Sequence, residues 1–143
     1  MSLVIRRAHP DDAPLLATLA RAHAATITPE YVAEHAVFIA LEGTRLVGFY
    51  ALEEQGERCT LGHLRVAPEW TGRGRGRWML ADAVRRARRI HARTVRLTPE
   101  PGSEAFFLRM GLVPAADGAG LELDATTWAE PLPESVSDAG SAE

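Results

Sequence analysis

The stretch HLRVAPEWTGRGRGRWML, residues 63–80, ends a strand-like segment at Val66 and then places Gly72, Gly74 and Gly76 on alternate positions. Beyond Gly76 the apolar residues recur at helical spacing, which predicts a helix over 76–90. The first amides of a helix lack partners within the helix and carry the positive end of its dipole. Glycine lets a bulky anion approach such amides without meeting a β-carbon. The stretch therefore predicts a strand, a glycine-rich turn and a helix, and the turn is either a phosphate-binding site or a flexible loop with solvated arginines.

The residues around these glycines distinguish the turn from two common phosphate-binding loops. Arg73, Arg75 and Arg77 are expected to attract phosphate and to contact it directly. A P-loop requires lysine and then serine or threonine after its last glycine, but Arg77 and Trp78 follow here. The dinucleotide fingerprint requires glycine at the position of Arg77 and a parallel βαβ unit. The strands before this turn are instead linked by hairpins, so both loops are excluded.

The rest of the chain predicts an α/β (α+β) fold, in which helices flank a mixed, mostly antiparallel sheet. Three antiparallel strands fill residues 36–66 and are joined by tight turns at EGT and EQGE. Strands are also predicted over 3–8, 94–99 and 119–125. Helices are predicted over 9–25, 28–35 and 101–112.

Length and composition predict one domain, over residues 1–126, and an acidic, mobile tail over 127–143. All sixteen basic residues are arginine, and ten of them lie within 65–96, although the net charge is −3. The lone Cys59, the lack of a long apolar run and the absence of a signal peptide favour a reducing cytoplasm. The five histidines show no metal-binding spacing, so we expect no metal site and no contact with a membrane.

Two motifs resemble those of the GNAT (Gcn5-related) N-acetyltransferase family. HLRVAPEWTGRGRGRWML is similar to its acetyl-CoA segment, in which a strand ending in a Val-x-Pro turn leads into Arg/Gln-x-x-Gly-x-Gly/Ala and a helix. SEAFFLRMGLVP, residues 103–114, resembles the later Ala-x-Phe-Tyr-x-x-x-Gly-Phe helix of the family. The order of the elements also matches, and the resemblance covers about residues 3 to 124.

The resemblance implies that the fourth strand bulges and splays from the fifth, with coenzyme A in the opening. Leu64 and Val66 would then offer backbone hydrogen bonds to the pantetheine arm, and an amide near them would stabilise the developing oxyanion. Backbone amides would surround the pyrophosphate, and the residues that carry them are Arg73, Gly74, Arg75, Gly76 and Arg77. No covalent enzyme intermediate is expected.

The sequence departs from the family pattern at three positions. Thr71 stands where arginine or glutamine is preferred, and Arg75 stands where an apolar residue is usual. Phe107 aligns with the tyrosine that often protonates the departing thiolate, and phenylalanine has no proton to donate. Because a thiol of pKa about 8.5 leaves fairly well near neutral pH, this step is able to proceed without an acid.

Proton removal from the acceptor ammonium is the larger obstacle, and His63 is the best-placed candidate base. The alternative for His63 is a packed strand histidine with a structural role. Tyr31 and His35 lie in the segment that roofs the acceptor site in this family, and Glu53 and Glu54 end a strand where they would attract a cationic acceptor. Each of these four side chains also fits an ordinary surface or core role.

The sequence thus predicts an acetyl-CoA-dependent N-acetyltransferase that acts on a small-molecule or peptide amine, and a homodimer is left open. A module with the same fold that senses acyl-CoA without catalysis is the alternative, because Phe107 replaces the usual tyrosine. A nucleic-acid-binding module is less favoured, because the chain is acidic and lacks an aromatic platform. That module would use the arginine face of the long helix, which comprises Arg85, Arg86, Arg88, Arg89 and Arg93.

Overall fold

A single seven-stranded sheet organises the protein in the computed structural model, which describes residues 3–131 without the side chains of residues 21 and 22. The strands are β1 (Leu3–Arg7), β2 (Ala36–Glu42), β3 (Arg45–Gln55), β4 (Arg58–Val66), β5 (Thr94–Leu97), β6 (Val113–Pro114) and β7 (Leu121–Asp124). The α-helices are α1 (Ala13–Ala20), α2 (Pro29–Glu34), α3 (Arg75–Arg89) and α4 (Glu104–Arg109). Short 3₁₀ turns lie at Pro10–Asp12, Arg21–Thr26 and Pro68–Trp70.

The strand order is β1-β2-β3-β4-β5-β7-β6, and only the β4–β5 pair is parallel. The predicted mixed, mostly antiparallel sheet with flanking helices is therefore confirmed. The two-residue strand β6 was not predicted, because a segment this short carries no alternating pattern. No helix within residues 3–131 has the length and apolar character required to span a membrane.

The helix predicted over 9–25 is divided into three pieces. His9 caps the first piece, because its ring accepts from the amide of Asp11 and the Asp12 carboxylate accepts from its backbone amide at 2.8 Å. The α-helical part covers only Ala13–Ala20, and the chain then tightens into the 3₁₀ turn Arg21–Thr26. Tight turns of this kind are common at helix ends, and apolar spacing alone does not distinguish them from α-helix.

Each face of the sheet carries its own hydrophobic core. Neighbouring residues of a strand point to opposite faces, so Phe49 belongs to one core and Tyr50 to the other. The first core lies under α3 and α4 and includes Met79 and Leu80, which are fully buried. The second core lies under α1 and α2 and includes Leu16. The burial of each large apolar side chain stabilises the fold by about 1.5–3 kcal/mol.

A buried polar network fixes α3 against the sheet. The Tyr50 hydroxyl donates to Oδ2 of Asp82 at 2.5 Å, and Arg86 donates to the same oxygen through Nε at 2.9 Å. Arg86 also lies over the ring of Phe38, with its guanidinium carbon 4.2 Å from the ring centroid. Burial, followed by the hydrogen bond to Asp82, raises the pKa of Tyr50, so its hydroxyl keeps its proton. Arg86 belongs to the arginine face predicted for the long helix, but its side chain is only 26% exposed, because the buried carboxylate of Asp82 requires a cationic partner.

An extra residue in β4 interrupts the β3–β4 ladder. Phe49 pairs with Arg65 and Ala51 pairs with Gly62, so His63 and Leu64 together face the single residue Tyr50. His63 has φ 57°, a left-handed conformation that inserts the additional residue as a β-bulge. Bulges bend the strand that contains them and increase its local twist.

β4 separates from its other neighbour, β5, soon after the β3–β4 hairpin. Parallel pairing of β4 with β5 covers only Arg58, Cys59 and Thr60, opposite Thr94–Arg96. The remaining six residues of β4, Leu61–Val66, have no partner on this side. The bulge and the splayed pair of strands expected from the resemblance are thus both present.

The C-terminal segment is described only to Pro131. Within it, Trp128 donates from Nε1 to the carbonyl of Met110 at 2.8 Å, and Glu130 lies 3.3 Å from Nε of Arg77 on α3. The mobile tail predicted over 127–143 falls, from residue 132 onward, outside the described residues and stays a prediction.

Gly48 is expected to be essential for the close contact of β3 with the bulged strand. A β-carbon built there would lie 2.2 Å from the carbonyl oxygen of Arg65 and 3.0 Å from Sδ of Met79. We expect Gly48→Ala to reduce the free energy of unfolding by about 1–3 kcal/mol, because either the strand or the core must move. Urea unfolding measures this loss. The matched control is Gly62→Ala on β4, where a β-carbon meets nothing within 4 Å, and an equal loss in both variants would contradict the interpretation.

Candidate functional site

A groove of about 530 Å³ lies where β4 and β5 diverge. Its walls are the bulged half of β4, the turn before α3, the loop after β5 and one side of α4. Five residues singled out from the sequence line it, namely His63, Leu64, Val66, Gly76 and Phe107. The fold therefore brings together residues that are up to 44 positions apart in the chain.

The backbone of β4 directs amides into this groove. The amide of Ala67 donates to the carbonyl of Val47 on β3 at 2.7 Å. Because successive N–H groups of a strand point in opposite directions, those of Leu64 and Val66 point away from β3. β5 has already separated from β4 at this level, so these two amides face the groove without a strand partner. Such donors are able to bind the amide-containing chain of a ligand as a further strand would.

The glycine-rich turn presents a second row of amides at the start of α3. Gly72 and Gly74 both have φ 76°, a left-handed conformation that glycine adopts without steric cost. Among residues 3–131, no carbonyl or side-chain acceptor is found for the amides from Gly72 to Arg77. Together with the positive end of the α3 dipole, these amides form an anion-binding surface. The predicted combination of strand, turn and helix is thus present.

The arginine side chains of the turn lie outside the groove. The guanidinium carbons of Arg73 and Arg75 lie 5.3 and 5.2 Å from the ring centroid of Trp70, in cation–π contacts. Arg77 contacts Glu130 and donates through Nη2 to the carbonyl of Pro131 at 2.5 Å. Arg109 of α4 does line the groove, although no sequence motif singles it out. The turn reaches the groove at Thr71 and Gly76, whereas the predicted residues Arg73, Gly74, Arg75 and Arg77 are not among those that line it.

Phe107 gives the groove an apolar wall. Its ring is buried and packs edge-on against Phe106, with centroids 5.0 Å apart. An aromatic ring without a hydroxyl at this position supports packing and supplies no proton.

His63 lies among aromatic rings on the side of the sheet that carries α1 and α2. Ring centroids of His23, Tyr31 and Phe49 lie 5.6, 6.0 and 6.1 Å from that of His63. Burial lowers the pKa of His63, and the charges of Arg65 and His23 lower it further, while Glu100 opposes the shift. The imidazole is therefore neutral at pH 7 and able to accept a proton.

The other residues predicted on the acceptor side lie near this ring. Tyr31 stacks on His35 with centroids 4.1 Å apart, and both belong to the segment of α2. Burial raises the pKa of Tyr31, and the nearby charge of Glu53 adds to the increase. Glu53 and Glu54 are both exposed at the end of β3. Tyr31 thus joins His63 in one cluster, whereas Glu54 remains at the surface.

An ion pair that the sequence analysis missed crosses the groove. Arg65 on β4 donates through Nη2 to Oε1 of Glu100, in the loop after β5, at 2.6 Å. Nε2 of His23 lies 3.4 Å from the same oxygen. The hydrogen bond from Arg65 lowers the pKa of Glu100. No sequence pattern indicated this pair, because the bulge at His63 and Leu64 interrupts the alternation of β4 and Glu100 lies in a loop.

Neither a metal site nor a reactive cysteine is supported within the described part of the chain. Among residues 3–131, no group of three or more His, Cys, Asp or Glu side chains is arranged to hold a metal ion. Cys59 on β4 is fully buried, and this burial raises the pKa of its thiol, with a smaller contribution from Glu54.

Comparison with known proteins relates this architecture to enzymes. A model of the acetyltransferase (GNAT) family matches residues 7–112. An uncharacterized N-acetyltransferase, ycf52, of Porphyra purpurea is 29% identical over 76 residues, which cover 52% of this chain and 44% of that protein. The chain therefore matches less than half the length of this curated relative.

Solved structures share the fold over most of the chain. The PaiA N-acetyltransferase of Thermoplasma acidophilum, in complex with coenzyme A, superposes with a TM-score of 0.75 and 18% identity over 87% of this chain and 99% of that chain. The ribosomal-protein-S18-alanine N-acetyltransferase of Escherichia coli superposes with a TM-score of 0.69 and 16% identity, over 94% and 99% of the two chains. At 18% and 16% identity, these similarities establish a shared fold and nothing more specific.

The lowered pKa of His63 predicts a pH-dependent contribution to stability. The unfolded chain binds the imidazole proton near pH 6.5 and the folded protein binds it only at lower pH, so stability is lost as the pH falls from 6.5 to the folded-state pKa. We expect His63→Gln to lose less stability on acidification than the wild type. For one proton the difference is at most about 1.4 kcal/mol per pH unit, and solvent around the half-buried ring reduces it.

Urea unfolding at about pH 7.5 and about pH 5.5, on either side of a free imidazole, measures this difference. His91→Asn is the control, because the His91 side chain is exposed outside the groove and asparagine tolerates its left-handed backbone. Equal acid sensitivity of the wild type and His63→Gln would contradict the lowered pKa.

Proposed function

The chain belongs to the GNAT acetyltransferase family, and we propose that it transfers the acetyl group of acetyl-CoA directly to a primary amine. Acetyl-CoA and the acceptor are bound together, and no acetyl-enzyme forms. The acceptor is a small molecule or a peptide amine.

One observation carries this proposal. The splayed half of β4 lines the groove, and the turn before α3 reaches the groove at Thr71 and Gly76. An extended chain with a diphosphate at its end would therefore find donors along β4 and then at the adjoining amides of Gly72–Arg77. Coenzyme A has this combination, because an amide-containing arm leads into its pyrophosphate. The backbone of Leu64 and Val66 would hold the arm, the residues from Arg73 to Arg77 would hold the pyrophosphate, and Phe107 would pack against the bound cofactor.

Acetyl-CoA supplies an activated acetyl group as a thioester, and the residues of the chain have three tasks around it. The amide near Leu64 to Val66 donates to the carbonyl oxygen as negative charge develops there. His63, neutral because its pKa is lowered, accepts the proton that the acceptor ammonium must lose, directly or through water. The new N–C bond then forms as the C–S bond breaks, the nitrogen releases its second proton to solvent, and coenzyme A leaves as a thiolate.

The departing thiolate has no acid at the position of Phe107. With a thiol pKa of about 8.5, protonation by water after departure is sufficient near neutral pH. The same residue favours a second candidate function, a module that binds acyl-CoA without catalysis, because the side chain at this position supplies no proton. The two functions share the groove and differ only in turnover.

Thiol release from acetyl-CoA, measured with a panel of amines, tests the proposed function. We expect at least one amine to increase thiol release well above that of protein and acetyl-CoA alone. His63→Gln should reduce kcat by about 10²–10⁴-fold, as expected for the loss of a general base, and should leave acetyl-CoA binding intact. Binding of acetyl-CoA without amine-dependent release would instead support the non-catalytic module.

Gly74, one of the two left-handed glycines of the turn, allows a separate test of where the cofactor phosphates bind. Gly74→Val is expected to weaken acetyl-CoA binding by at least about tenfold, since a β-carbon and a strained backbone remove phosphate hydrogen bonds of about 1.5–3 kcal/mol each. Isothermal titration calorimetry measures the Kd. Gly56→Val is the matched control, because Gly56 has a similar φ of 67° and open surroundings in the β3–β4 turn. Normal binding by Gly74→Val would show that the phosphates lie elsewhere.

A further inference from the structure

We propose that Arg65 binds a carboxylate of the acceptor, so that the acceptor is a free amino acid whose amine lies toward His63. The inference rests on the proposed function and specifies its substrate class. Glu100, which now contacts Arg65, would occupy the position that the substrate carboxylate takes.

The first support is the position of Arg65. It pairs with Phe49 across the β3–β4 ladder, and the ring of His63 lies near that same Phe49, so both side chains are on the face of the sheet that carries α1 and α2. Both also line the groove. The Arg65 side chain is only 14% exposed, so its guanidinium is held in place at the wall rather than dispersed in solvent.

The second support is an incompletely used guanidinium. Glu100 accepts only from Nη2 of Arg65, and its Oε1 is shared with His23. Nε of Arg65 is buried and has no acceptor among residues 3–131. A guanidinium has a planar fork that binds a carboxylate through two parallel hydrogen bonds, and this fork is half used here. A carboxylate that replaced Glu100 and engaged both Nε and Nη2 would complete it.

The third support is the character of Glu100. Its side chain is 45% exposed and lies in the loop between β5 and α4, so solvent can receive it when a ligand arrives. Displacement by another carboxylate leaves the charge of Arg65 neutralised. An ammonium at the same place would bring two cations together and separate a close ion pair, which is unfavourable for a partly buried charge. The geometry therefore favours an anionic group of the acceptor over a cationic one.

An amino acid carries a suitable group for both Arg65 and His63. With its carboxylate on Arg65, its α-ammonium lies on the side of His63, which accepts one proton directly or through water. The amine nitrogen then bonds to the acetyl carbon while the C–S bond breaks, the second proton is released to solvent, and the products are an N-acetyl amino acid and coenzyme A. A matched amino acid amide has the same amine and no negative charge.

Thiol release with L-amino acids and with the matching L-amino acid amides tests this proposal. We expect kcat/KM of the preferred amino acid to exceed that of its amide by about 10- to 100-fold, as for a hydrogen-bonded charge pair. Arg65→Gln should reduce this ratio to near one while the KM of acetyl-CoA stays unchanged, and Arg65→Lys should retain part of it. A ratio near one in the wild type, or an unchanged ratio in Arg65→Gln, would overturn the proposal.

Arg96→Gln is the matched control for the loss of a paired arginine. The Arg96 side chain on β5 is 17% exposed and pairs with Asp117 and Glu122 outside the groove, and its buried Nε has no acceptor among residues 3–131. We expect this variant to keep the ratio of amino acid to amide. Glu100→Gln should lower the KM of the amino acid several-fold, because it removes the internal competitor. An increase of that KM would contradict the role assigned to Glu100.

A binding measurement on the wild type keeps the test independent of turnover and of variant folding. In the presence of coenzyme A, an N-acetyl amino acid is expected to raise the melting temperature more than its amide does. Equal shifts would overturn carboxylate binding. Release with amides but not with amino acids would also overturn it and leave the proposed function intact, whereas absence of release with every amine would overturn the proposed function itself.

Discussion

One extra residue in β4 is the constraint on which the site depends. The left-handed backbone of His63 sets two residues of β4 against Tyr50 and bends the strand beyond it. Pairing with β5 has already ended at Thr60 and β5 itself ends at Leu97, so the bent half lies beside the groove with its outward amides unpaired among residues 3–131. Unpaired strand amides are normally a liability, and under the proposed function they are the donors of the site.

Tyr50 connects the bulge in β4 to α3, whose first amides form the second part of the candidate site. Its backbone lies opposite the bulge, and its hydroxyl holds Asp82, so the position of α3 is tied to the strand that forces β4 to bend. The amides at the start of α3 and those of β4 are therefore held in a fixed relation by one side chain. Arg86 neutralises the buried carboxylate and makes the arrangement electrostatically tolerable. A mobile phosphate turn would lose the advantage of preorganised donors.

Local sequence patterns predicted the fold well, but they do not indicate contacts between residues that are far apart in the chain. The helix predicted over 76–90 is found at Arg75–Arg89, because glycine and apolar spacing act within a few residues. The broken helix over 9–25 and the burial of Arg86 depend on packing against other elements. The contact of Arg65 with Glu100 joins a residue of β4 to a residue of the loop after β5, 35 positions apart in the chain, so no periodicity indicates it. The roles of the site residues in binding and catalysis stay predictions.

The burial of Cys59 bears on side reactions in which an acyl donor would modify the protein itself. This thiol lies on the strand that borders the groove, in the part still paired with β5, and it is the sole cysteine of the chain. Because its raised pKa keeps it protonated and the sheet covers it, transthioesterification onto the protein is blocked. All sixteen basic residues are arginine, so no lysine side chain is present to be acylated instead. Under the proposed function, the protein is thereby protected against self-modification by its acyl donor.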